Sequence, residues 1–379
     1  MRHNKSLQIA VTAVLLGSLA AACGGDDGSS VDTTVDASDC PDPDSELVTA
    51  AQEEGVVEMV GSVSNAQIDP VIPPAFDERY GVEVRYTGSP GSVLTARLAN
   101  ERAANVYSVD VWSGGGDSGV NRMYENGWIG SLSSVLDPAL VEPSSYVLDE
   151  APWIDQEQDK LFQISRYMNT FLLINTDLVT EGEITTWEDL LDPKWKGQIV
   201  VDDPRSAGAG ANDVGILYET YGEEFVRQLY VDQEPVVMQD QQAEVDAVAR
   251  GTYAIGISMF PTYARVAVQQ GLPVELIVPQ EAPLQILGGS GVIGISDQPP
   301  HPNAAELLLN WLVCAEGNQL YNEAAITPSS RKDIPVPEGA EEVAIDPDAE
   351  YFDAYSWDFL TTGKPAAQQL VTDLIGTGG

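Results

Sequence analysis

Short apolar runs of strand length alternate with helix-length stretches along most of this chain, and that alternation constrains its fold most strongly. Ser45–Glu54 reads as a helix stopped by Gly55, followed by a strand at Val56–Val60. A helix made irregular by Pro70, Pro73 and Pro74 runs to Tyr80, where Gly81 caps it. Val82–Thr87 is a second strand, and Ser89 as N-cap with Pro90 at the first helical position opens the next helix. Val109–Trp112 is a third strand. This order predicts an α/β fold with a parallel, helix-covered sheet, in which ligands sit beyond the carboxyl ends of the strands. The loops there carry Ser62, Ser64, Asn65, Ser89, Ser92, Ser113 and Gly114. A serine at a helix start is ordinarily a cap; it is the gathering of several on one edge that marks a candidate site.

The stretch Thr185–Asn212 has the clearest functional signal. Thr185 with Glu188, or Thr186 with Asp189, fits a capping box, with Trp187, Leu190 and Leu191 as the buried stripe. Pro193 and Gly197 end that helix, and Gln198–Val201 is a short strand. The loop that follows contains Arg205, Ser206, Ala207 and Gly208 and opens another helix. Its small residues leave backbone N–H groups uncovered, and Arg205 has a planar fork suited to carboxylate or phosphate. The plainer alternative is a strand-to-helix connector with one surface arginine. Arg166 and Tyr167 lie between two adjacent strand-like runs, Leu161–Tyr167 and Thr170–Asn175, and are further candidates. Gln285–Ile295 reads as one apolar strand passing through Gly288 and Gly289, with helices at Pro302–Cys314, Glu316–Glu323 and Pro365–Ile375. Gly114, Gly116 and Gly119 match a dinucleotide fingerprint in form, but they follow the third strand and lack the acidic ribose partner.

At 379 residues the chain is long enough for two cores. Its net charge of −41 argues against nucleic acid and against an anionic membrane surface as partner. It leaves an anionic small molecule open, since a pocket is set by local groups. Arg2 and Lys5 precede the apolar stretch Leu7–Ala22, too short for a membrane span, which ends at Cys23. This resembles a bacterial lipoprotein signal, with residues 1–22 removed and Cys23 lipidated; ordinary secretion with cleavage after Ala22 is the alternative. Residues 23–44 form a flexible acidic tether. Export would put Cys40 and Cys314 in an oxidising compartment, where two remaining cysteines are expected to pair.

Several phrases together resemble the solute-binding proteins of bacterial ABC importers, in the ferric-binding-protein-like group. They are GVEVRYTGSPGSVLTARLANE, LLINTDL, TTWEDLLDPKWKGQIVVDDP, ARGTYAIGIS and HPNAAELLLNWLVCAEGNQLYNE, spread over Leu47–Arg331. The resemblance implies a two-lobed periplasmic-binding-protein-like fold of type 2 with crossing hinge strands. It implies one lobe from residues 45–165 and 285–379 and a second from 166–284, with crossings near Gln163–Thr170 and Val278–Gly289. It further implies an exported monomer, anchored by lipid at the outer face of the cytoplasmic membrane, that hands a small solute to an ABC permease. The group's iron ligands do not carry over. Ser62–Asn65 stands where the iron binders have histidine, Ser113-Gly114-Gly115 where they have a carboxylate, and a single Tyr263 where they have a tyrosine pair. Ferric iron needs several anionic oxygens, so no metal and no cofactor is expected. Tyr263 remains as a ring face or hydroxyl, or as a plain helix residue.

The remaining inventory of Arg166, Arg205, Ser206, hydroxyls and helix N-termini suits a small organic anion; ferric iron or a ferric chelate is the alternative cargo. Two other classes stay open: a lipid-anchored receptor serving a sensor, and an exported hydrolase. The hydrolase lacks parts. The two histidines are His3 in the leader and His301 between prolines, and neither Gly-x-Ser-x-Gly nor His-Glu-x-x-His occurs. The chain is therefore expected to bind and not to catalyse.

Overall fold

Among the described residues, 13 strands form three sheets. The strands are β1 (Val56–Gly61), β2 (Glu83–Gly88), β3 (Val111–Gly114), β4 (Phe162–Gln163), β5 (Tyr167–Met168), β6 (Leu172–Asn175) and β7 (Ile199–Asp202). Then come β8 (Val236–Met238), β9 (Ile255–Ile257), β10 (Val274–Ile277), β11 (Leu284–Leu287), β12 (Val292–Ile295) and β13 (Tyr351–Asp353). The structure, a computed structural model, describes residues 36–169, 171–206, 208–259, 261–279 and 284–376. The leader, Cys23, most of the tether and Ala207 lie outside the described residues. The described residues make one compact unit.

The first sheet has the order β2-β1-β3-β12-β4 and the second β10-β6-β9-β7-β8. Each has a parallel centre, β2-β1-β3 in one and β9-β7-β8 in the other. Both sheets are mixed rather than wholly parallel, because β12 runs antiparallel to β3 and β6 antiparallel to β9. Those antiparallel strands are the continuations of two segments that pass from one sheet to the other. Between the sheets the segments pair with each other, β5 antiparallel to β11, in the small sheet β13-β11-β5. The expected single strand Gln285–Ile295 is thus two strands in two sheets. Gly289 adopts φ +52 at the break, and a Cβ there would lie 2.4 Å from the Tyr167 hydroxyl. Only a glycine lets the two crossing segments approach so closely.

Each sheet has its own core. One face of the first buries Phe76, Tyr80 and Trp311 from the helices Ile72–Tyr80 and Pro302–Val313. Its other face packs Trp112 with Leu94 and Leu98 of the helix Gly91–Ala103. The second sheet lies between the helix Ala209–Tyr221 on one side and the helix Gln241–Ala249 on the other. Local signals operate as their chemistry requires. Ser45 Oγ accepts from Val48 N–H, and Gly55 closes that helix at φ 75. Thr186 and Asp189 form the reciprocal box, but it closes a 3-10 turn at Glu188–Leu191, since Asp192-Pro193 begins a second short turn. Pro90, not Ser89, is the N-cap residue of the helix Gly91–Ala103.

The tail departs from expectation. The helix Lys364–Ile375 buries Ala367 and Val371 in the second sheet's core, so 285–379 does not belong wholly with the first sheet. The reason is local: Gly215 has no Cβ, and one would lie 2.7 Å from the Phe359 ring and 3.4 Å from Lys364 Cα. That gap lets the tail seat on the helix Ala209–Tyr221. At the other end Cys40 and Cys314 are joined by a disulfide, and Arg331 pairs with Asp39 at 2.8 Å.

Candidate ligand-binding cleft

A cleft of about 700 Å³ opens where the loops after the parallel strands of both large sheets meet the crossing segments. From the first sheet come Ser62 and Ser64 after β1, Gly91 and Ser92 after β2, and Gly115, Asp117 and Ser118 after β3. From the second come Gly208 and Asn212 after β7, and Tyr263 and Arg265 from the helix Pro261–Gln269. The crossing segments add Ser165, Tyr167, Asn169 and Gly289–Gly291, and the tail adds Val343, Tyr355 and Lys364. The site therefore sits where an α/β sheet places one, at the carboxyl ends of its strands.

Of the residues singled out in the sequence, Ser62, Ser64, Ser92, Tyr167, Gly208 and Tyr263 line this cleft. The others do not. Asn65 is a structural bracket: its Oδ1 accepts from Gly88 N–H at 2.8 Å and its Nδ2 donates to Asp69 and Tyr86 O. Ser89 is tied to Gly61 O, and Ser113 is buried within β3. Gly114, Gly116 and Gly119 are packing glycines, since a Cβ at Gly114 would meet Trp112 at 2.4 Å and one at Gly116 would meet Tyr355 at 2.8 Å.

Both arginines proposed as anchors are engaged elsewhere. Residues 165, 167 and 169 face the cleft, and the period of an extended chain turns Arg166 to the opposite side. There it is buried and pairs with Glu150 at 2.8 Å and Asp353 at 3.1 Å. Arg205 grips its own loop, Nε to Asp203 Oδ1 at 2.7 Å and Nη2 to Asp203 Oδ2 at 2.9 Å, while Nη1 donates to Gly376 O. Ser206 is exposed outside the cleft. The helix N-terminus in that loop is likewise served internally, because Asp202 Oδ2 accepts from Gly210 N–H at 3.0 Å.

The cleft's cations, among the described residues, are Arg265 and Lys364. Lys364 is only 2% exposed, and among the described residues its Nζ has one counter-ion, Asp117 Oδ1, at 3.5 Å. Burial holds its ammonium below the ordinary lysine range, opposed by the Asp117 charge. A buried ammonium with a single ion-pair partner carries a desolvation penalty of several kcal/mol that this pair only partly offsets. Asn169 and Asn212 are also buried, and the Oδ1 of each has no partner. The hydroxyls of Tyr167 and Tyr355 are pushed well above the phenol range by burial, and Tyr355 donates to Gly289 O at 3.0 Å. Both therefore remain neutral. Among the described residues the wall offers two cations, one carboxylate, and many hydroxyl and amide groups.

Sequence reasoning missed Asp117, Arg265, Tyr355 and Lys364. Arg265 lies two residues beyond the tyrosine it did select. The period-two reading of 165, 167 and 169 was also available. Nothing local marks Lys364, because the tail's return to the cleft is a tertiary event.

The family described as "Bacterial extracellular solute-binding protein" matches residues 74–350. The chain belongs to that family. It is the extracytoplasmic solute-binding component of an ABC importer, with the type 2 periplasmic-binding-protein fold seen in ferric-binding proteins. An uncharacterized protein of Haemophilus influenzae is 25% identical over 260 residues, covering 65% of this chain and 69% of that one. Among solved structures, Trichodesmium IdiA (FutA), in complex with iron and citrate ligands, superposes with a TM-score of 0.65 at 18% identity, covering 84% of this chain and 99% of that one. AfuA from Actinobacillus pleuropneumoniae, with exogenous fructose-6-phosphate bound, gives 0.59 at 18% identity, covering 85% and 99%.

Proposed function

We propose that the solute is a small, hydroxylated organic anion, held between the loops of the two large sheets and released to a permease. The observation that carries this reading is Lys364, a buried ammonium in the cleft wall whose counter-ion among the described residues stands 3.5 Å away. A ligand's anionic group would complete its coordination, and Asn169, Asn212 and the serines offer hydrogen bonds to ligand hydroxyls. Fructose-6-phosphate, bound by AfuA, has this chemistry. Bare ferric iron fits poorly, because among the described residues the wall has one carboxylate and two cations, where the ion needs several anionic oxygens. A ferric chelate with an anionic organic shell is the second reading. It is favoured by the three tyrosines of the wall and by the iron and citrate in the Trichodesmium protein.

Two lobes hinged at β5 and β11 would close on the ligand only by as much as it binds the closed form better. In this reading the protein is a monomer, does no catalysis, and is tethered through a lipid on Cys23. The test is native mass spectrometry of protein purified from its own host, followed by titration of the retained molecule. Lys364→Gln should weaken its binding by about 1.5–3 kcal/mol, the scale of a hydrogen bond to a charged group. A neutral or cationic retained molecule, or undiminished binding by folded Lys364→Gln, would overturn the reading.

A further inference from the structure

Arg265, the cleft's other cation, already has an anion on it. Its Nε donates to Glu342, its hydrogen-bond partner among the described residues. Glu342 lies 77 residues further along the chain, in the short turn Glu341–Val343. That turn is firmly seated. Ala340 and Val343 are buried in a cluster with Met168 of β5 and Phe171, and Val343 also lines the cleft. Packing therefore seats the turn beside the arginine, with the Glu342 side chain itself exposed, in a chain whose own net charge is −41.

We propose that Glu342 is a built-in competitor for the cleft's arginine and that it selects which anions the protein accepts. This inference rests on the anionic-solute reading above. An incoming anion that takes Arg265 side-on, through Nε and a terminal nitrogen together, must displace the Glu342 carboxylate from Nε. A tethered group acts at a high effective concentration, of order millimolar for a short flexible connection. A free monocarboxylate brings the same chemical group without that advantage, and it loses translational freedom on binding. It therefore gains little at Arg265. A phosphate ester or a polycarboxylate brings more charge and more acceptor oxygens, with Lys364 in the same cleft to receive part of that charge. The class admitted is polyanionic organic solutes, with monocarboxylates disfavoured.

Calorimetric titration of the exported chain with fructose-6-phosphate, citrate and gluconate tests this. The wild type should take at least one of the first two in preference to gluconate. Glu342→Gln should narrow that preference by roughly tenfold, chiefly by strengthening gluconate. In an Arg265→Gln background the same substitution should change nothing, and Glu342→Ala should repeat the effect without the amide. An equal preference in wild type and Glu342→Gln, or an effect that persists without Arg265, overturns the competitor. Loss of binding in Lys364→Gln would then leave the anionic reading in place. Uptake of none of the three by either protein overturns both.

Discussion

Two carboxylic acids in the second half of the chain carry most of their consequences in their protonation. Asp213 is buried beside Gln285, which donates to it at 2.5 Å, and desolvation pushes its carboxyl up to about 7. Glu244 is fully buried, its oxygens have no partner, and desolvation together with Asp202 raises it to about 8. For both, the folded state holds a proton that the unfolded chain releases at lower pH. Between the ordinary carboxylate range and about 7 to 8 the folded protein binds more protons. Their contribution to stability is thus full at low pH and falls as pH rises through that window, a tenfold difference in proton affinity between folded and unfolded chain being worth about 1.4 kcal/mol. Chemical denaturation at pH 5.5 and pH 8 should show the protein more stable at pH 5.5. Asp213→Asn and Glu244→Gln should each flatten that dependence; a stability rising from pH 5.5 to 8 would contradict the assignment. The sequence offered no access to this, because burial of a single acid depends on what a distant strand places over it. The same limit explains the arginines. Arg205 has an aspartate two residues earlier and Arg166 an acid 187 residues later, and only the first pairing could have been suspected from spacing. Conversely the serines after β1 and β2 were legible, because a loop's place at a sheet edge follows from element order alone.

At the scale of elements, most helices and strands lie where periodicity and punctuation put them. Gly55 and Gly81 both take positive φ at the ends of the helices they were expected to stop. What periodicity could not show is where one apolar run changes sheets. Residues 284–295 are continuous in hydrophobicity yet serve two sheets, and the division rests on the close approach of Gly288–Gly291 to Gln163–Tyr167. Gly289→Ala should be costly for two reasons. Its φ of +52 disfavours any side chain, and the new methyl would strike the Tyr167 hydroxyl. A loss of about 1–3 kcal/mol is expected, read as a lower urea midpoint at unchanged slope. Tyr167→Phe in the Gly289→Ala background should recover part of it by removing the clashing oxygen. An alanine variant as stable as wild type would mean the crossing segments are looser than this packing requires.

For the whole molecule, the balance of charge acts against both folding and the proposed cargo. With 59 acidic and 18 basic residues, the net charge of −41 is one that no arrangement of ion pairs cancels, even where one arginine holds two carboxylates as Arg166 does. Self-repulsion in the compact state must therefore exceed what the pairs return, and screening should stabilise the fold. Tm is expected to rise with added NaCl and to level off as the Debye length approaches about 3 Å near 1 M. A continued linear rise would instead indicate salt exclusion from the surface. The same field repels an anion approaching from solvent, while Lys364 and Arg265 attract it only at short range. Salt should then raise both rate constants of an anionic ligand, with opposite consequences for affinity. Association should quicken as the long-range repulsion is screened, and dissociation should quicken as the local contacts weaken. Stopped-flow measurements over a salt series would separate them. A rate of association that falls with salt would mean that the cleft's cations dominate the approach, and that the acidity of the surface is turned away from the mouth.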